Sequence, residues 1–90
     1  MNKIKVRNME SPRSYRSVAN QFIIDTDEGR YFQSYQSVIA FVKGDKVVLD
    51  ENKWNYSVTT AKYRNQFLRQ TTKETQAKID SGEYELADLN

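Results

Sequence analysis

From Asn20 to Leu49 the chain reads as β-strands, two segments alternating apolar and polar residues and two more continuously apolar, and beyond Asp50 the period lengthens to that of a helix. Asn20–Asp25 sets Phe22 and Ile24 against Gln21, Ile23 and Asp25. Thr26-Asp27-Glu28-Gly29 then supplies turn chemistry, and Arg30–Tyr35 alternates again, with Tyr31, Gln33 and Tyr35 opposite Arg30, Phe32 and Ser34. This pair predicts a hairpin. Ser37–Val42 and Val47–Leu49, joined by Lys43-Gly44-Asp45-Lys46, predict a second one. Four consecutive antiparallel strands are most simply a meander.

Ser57 is a suitable N-cap for a helix that carries Val58, Ala61, Phe67 and Leu68 on one side, with Tyr63 one turn before Phe67. Thr71 and Glu74 have capping-box spacing, so a break near Gln70–Thr71 and a second helix to Asp80 are expected, with Gly82 ending it. Tyr84 and Leu86 alternate with Glu83 and Glu85, which suggests a short last strand. The expected fold is α+β: an antiparallel four-stranded meander sheet with two C-terminal helices packed on one face and a short final strand. Its expected core is Phe22, Ile24, Phe32, Ile39, Phe41, Val48, Trp54, Phe67, Leu68 and Ile79. Residues 18–90 form this single domain. Residues 1–17, polar and holding the only Pro, are expected to form a basic arm in which Ile4 and Val6 could add an edge strand.

At 90 residues and 38% hydrophobic content the core must be thin, so pairing into a homodimer or binding a partner would be a natural way to bury more apolar area. The chain has neither Cys nor His, which removes disulfides, thiolate metal sites, Cys nucleophiles and the usual near-neutral base. The longest apolar run, Val38–Val42, is far too short to span a membrane, and no apolar stretch follows the basic start, so a cytoplasmic protein is expected. The net charge of +2 is mild but unevenly spread. Lys3, Lys5, Arg7, Arg13 and Arg16 crowd the front, while Asp80, Glu83, Glu85 and Asp88 crowd the back.

No constellation points to catalysis. Asp25-Thr26-Asp27-Glu28-Gly29 opens like a calcium loop, but Gly falls fifth rather than sixth, and the twelfth residue is Gln36 where a bidentate Glu belongs. The paired acids Asp50-Glu51 and Glu83/Glu85 sit in or beside turns, and the three Gly are isolated, so neither a tuned carboxylate pair nor a phosphate loop is expected. The chain is therefore expected to be no enzyme and to need no cofactor or metal.

Candidate contacts are instead surface groups. Tyr31 and Tyr35 beside Arg30 form an aromatic strip that suits either single-stranded bases or a protein. Lys62, Gln66, Arg69 and Lys73 form a polar-basic stripe if one helix runs through Thr71, with Arg64 off that stripe. Trp54 and Tyr56 flank the strand-to-helix corner, where an aromatic is either a clamp or an interface anchor.

VANQFIIDTDEGRYFQSYQSVIAFV, KVVLDENKWNYSVTTAKYRNQFL and KIDSGEYELADLN resemble small uncharacterised proteins carried by phages, plasmids and mobile elements of Gram-positive bacteria. The resemblance covers residues 18–90, and WNYSVTTAKYRNQFL is its most distinctive piece. It brings no assigned activity and no site residue. It implies a mobile-element accessory protein that binds a host or defence-system protein, for example as an anti-CRISPR inhibitor acting by surface occlusion. The alternative is a nucleic-acid-binding accessory protein in replication, recombination or transcriptional control.

Overall fold

A computed structural model describes residues 3–90; Met1 and Asn2 of the expected arm lie outside it. Five strands follow one another along the chain: β1 (Lys5–Glu10), β2 (Ser17–Asp25), β3 (Arg30–Ser34), β4 (Ser37–Lys43) and β5 (Lys46–Asp50). Helices α1 (Val58–Leu68) and α2 (Thr72–Asp80) lead to a last strand, β6 (Glu85–Ala87). All six strands form one sheet in chain order, with β5 and β6 parallel and every other pair antiparallel.

The expected four-stranded antiparallel meander is thus corrected to a mixed six-stranded sheet. Lys5–Glu10 pairs with β2 even though its side chains are nearly all exposed and mostly polar, because backbone pairing needs no apolar side chain on an edge strand. β6 runs parallel to β5 because the helical pair returns the chain to its starting end, the crossover that parallel pairing requires.

Strand register decides which residues meet the helices. Ile23 pairs with Phe32, Phe32 with Ala40, and Ala40 with Leu49, all facing the helices. A bulge between Phe32 and Gln33 in the β3–β4 ladder sets both Ile39 and Ala40 towards the core, and both are fully buried. Met9, Val47, Tyr63 and Tyr84 complete the buried cluster, with Val18, Trp54, Phe67, Leu68 and Ile79 packed against it. Phe67 stacks on Phe32 at 5.7 Å between ring centroids.

Three expected core residues, Phe22, Ile24 and Phe41, are only half-buried, while Val48 is buried as expected but outside the main cluster. All four alternate with the core-facing set and belong to the opposite, helix-free face. β2 is apolar on both faces, so its alternation alone left the inward face undecided. Helix α1 is also turned from expectation. It buries Thr60, Tyr63 and Arg64 with Phe67 half-buried, an i, i+3, i+4, i+7 stripe, and leaves Val58 88% exposed.

Local signals fix the ends of both helices. The Ser57 side chain accepts a hydrogen bond from the Thr60 N–H at 3.1 Å. Arg69 adopts the left-handed conformation at φ 57° and ends α1. Thr71 and Glu74 then form both halves of a capping box, at 2.9 and 3.1 Å.

Gly29 sits where the β2–β3 hairpin meets β4. A Cβ there would stand 2.6 Å from the Val42 carbonyl oxygen and 2.7 Å from the Phe41 ring. Because one obstacle is backbone, Gly29→Ala is expected to destabilise the fold by roughly 1–3 kcal/mol, measured by urea unfolding. An unchanged urea midpoint would mean that the hairpin yields without cost.

Candidate interaction surfaces

The strand-to-helix corner is built around a buried guanidinium. Arg64 is fully buried. Its Nη1 donates to the Trp54 carbonyl oxygen and to Asn55 Oδ1 at 3.0 Å. Its Nη2 donates to Asn65 Oδ1 at 2.8 Å and to Thr72 Oγ1 at 2.7 Å, which ties α1 to the start of α2. The guanidinium carbon lies 5.0 Å from the Trp54 ring centre, a cation–π contact. Burial pushes the Arg64 pKa below its ordinary value, and none of its hydrogen-bond acceptors is a carboxylate. Neutral oxygens and an aromatic face hold the charge, a fork that suits arginine and not lysine.

That arrangement separates the expected site residues. Arg64 and the half-buried Trp54 are the clamp of the corner, so Arg64 is not a surface contact. Around them, Tyr56 and Val58 project outward, and a shallow depression of about 670 Å³ is lined by Asn55, Tyr56, Ser57, Val58, Ala61, Lys62 and Asn65. Lys62 is exposed, with its Nζ 5.4 Å from the Tyr63 ring centre. The expected basic stripe is not continuous. The left-handed Arg69 breaks the helix before Lys73, and the Gln66 side chain donates to the Glu10 carbonyl oxygen of β1 at 2.9 Å.

The other residues expected at the site fall on or near the sheet. Tyr31 is on the helix-free face, half-buried against Phe41 with ring centroids 4.6 Å apart. Tyr35 has left the strand for the β3–β4 turn, at φ 56° and 50% exposed, so the two Tyr do not form one strip. Arg30 faces the helical side, paired with Asp25 at 2.6 Å. What the sequence reading missed is the row across the helix-free face. Val6, Ile24, Tyr31, Phe41 and Val48 stand opposite one another in register on five successive strands.

A second buried charge closes the far end of the sheet. Asp50, 2% exposed at the end of β5, accepts the N–H groups of Asn52 and Lys53 on Oδ2. Its Oδ1 accepts the Leu89 N–H at 2.9 Å and the Asn90 side-chain amide at 3.0 Å. Burial raises the pKa of this carboxyl, but the hydrogen bonds outweigh it and hold the pKa below the ordinary value. Asn90 in turn bonds both the N–H and the carbonyl of Val38, so its amide continues the ladder beyond β5.

Among the described residues, no helix is long and apolar enough to cross a membrane. No curated protein and no solved structure matches the chain. A family model does match, over residues 4–83, taking in β1 as well as most of the stretch that carried the resemblance. With that span covering most of its length, and with every element from β1 to α2 inside it, the chain belongs to the family of unknown function DUF8033.

Proposed function

We propose that this protein is a non-enzymatic binding protein that occludes a surface of a macromolecular partner, with the strand-to-helix corner as its contact. The supporting observation is an exposed apolar pair, Tyr56 and Val58, standing on a corner already fixed by Arg64. A contact that is rigid before binding loses little ordering entropy on docking, and an aromatic anchor beside a depression is the usual form of a binding hot spot. Lys62 lines the same depression and favours an acidic patch on a protein partner. The resemblance to phage and mobile-element proteins of Gram-positive bacteria supports a narrower role. On that reading the protein is an anti-defence inhibitor, for instance of a CRISPR effector, acting in the bacterial cytoplasm.

Affinity capture with the full chain from phage-infected host lysate tests the reading, followed by titration of the captured partner. Val58→Asp and Lys62→Glu should each weaken binding about tenfold or more with unchanged melting behaviour. Arg69→Glu, at the other end of α1, should have a smaller effect. Unaltered affinity in the first two variants would remove the corner from the mechanism. Retention of DNA alone, with affinity collapsing as salt rises, would favour the nucleic-acid alternative.

A further inference from the structure

The helix-free side of the sheet is an apolar surface with charged flanks, and those flanks are arranged with a hidden symmetry. Its central row is Val6, Ile24, Tyr31, Phe41 and Val48, ending at Glu85 on β6. Val6 is exposed, Ile24, Tyr31 and Phe41 are half-buried and Val48 is buried, so the accessible apolar row runs from Val6 to Phe41 across four strands, roughly 15 Å at about 4.8 Å per strand. A row of partly exposed apolar side chains rimmed by charged ones is the form an interaction site takes.

The β2–β3 turn and the β4–β5 turn emerge at the same end of the sheet, each spanning the second and third strands counted from its own edge. The first carries Asp27 and Glu28. The second carries Lys43 and Lys46, which pair with each other and share the face of Phe41 and Val48. Asp45 offsets one of these charges, and Lys46 approaches Glu85 only at 4.0 Å with both side chains exposed, a pairing worth little.

We propose that this face is covered by a second copy of the chain, packed sheet on sheet about a twofold axis parallel to the strands. That axis lays β3 over the partner's β4 and β2 over the partner's β5. Tyr31 then meets Phe41 of the partner subunit, while Ile24 comes over the partner's β5, where Val48 of the partner subunit is already buried. The same rotation brings the acidic turn of each copy against the basic turn of the other, twice over, so one surface complements itself as an isologous interface must. Aligned sheets cross at about −30°, so contact is closest at the aromatic centre and the ends of the row splay apart. The interface lies across the sheet from the helical corner, and its test is independent of the function proposed above.

Sedimentation equilibrium of the full chain over a wide concentration range provides that test. The expected species is twice the 10.6 kDa chain mass. Lys43→Glu with Lys46→Glu should weaken self-association about tenfold or more. Asp27→Lys with Glu28→Lys should do the same, and an equimolar mixture of the two double variants should restore association. All four positions are exposed, so circular dichroism should show the wild-type fold in each variant. A wild-type chain that stays at 10.6 kDa throughout would overturn the proposal. So would a dimer indifferent to both reversals, or a mixture that fails to recover.

Discussion

Arg64→Met should cost about 3 kcal/mol and lower the melting temperature by roughly 12–24 °C in a domain of this size. Methionine keeps the length and apolar stem of the side chain but supplies no donor. Four acceptors on three segments then lose their partner together: the Trp54 carbonyl, Asn55, Asn65 and Thr72. Arg64→Lys should recover part of the loss, because one ammonium cannot serve acceptors on both sides of a planar fork. Thermal melts followed by circular dichroism decide the matter. Replacement of a buried charge by an apolar side chain is sometimes neutral or stabilising. That outcome would mean that packing of Trp54 and Phe67, rather than the guanidinium, fixes the corner.

The second large effect concerns Asp50. Asp50→Ala removes the acceptor of four donors, from Asn52, Lys53, Leu89 and Asn90, and should cost about 3 kcal/mol at neutral pH. Asp50→Asn should cost less, since an amide oxygen still accepts while its NH₂ opposes the remaining N–H groups. The carboxyl pKa is lower folded than unfolded, so its contribution is fully present above the ordinary value of 3.8 and is lost as pH falls through the lower folded value. Urea unfolding at neutral pH and near pH 3 should therefore show a steep acid loss in the wild type and a shallower one in Asp50→Asn. Equal acid sensitivity in the two proteins would assign the loss to other carboxylates.

Those two residues also mark where the sequence was hard to read. The signals that act over three or four residues were plain: the Ser57 cap, the Thr71/Glu74 box, Gly82 after α2, and the turns at Thr26–Gly29 and Lys43–Lys46. Whatever depends on a neighbour far along the chain was not. β1 is strand only because β2 offers it a ladder. The inward face of β2 is fixed by its pairing with β3, since Phe22, Ile23 and Ile24 are all apolar. In α1, Thr60 is drawn inward by a 2.9 Å hydrogen bond to Ser34, and Arg64 by acceptors supplied from the corner. Hydrophobicity alone would have turned Val58 in and both of these out. Of the candidate contacts, Lys62 is visible from composition. The row through Tyr31 and Phe41 needs the register of five strands.

The parallel placement of β6 governs the order in which the molecule can be assembled. Among themselves, strands β1 to β5 pair only with chain neighbours, and such hairpins zip quickly because each closes a short loop. β6 and the donors that satisfy Asp50 come from far downstream, with Leu89 lying 39 residues away. Until both helices have formed and docked, Asp50 has only its near donors, and the β5 edge stays open to any passing strand. An open strand edge is where pairing with another chain begins, so closing that long loop also shields β5 from misassembly.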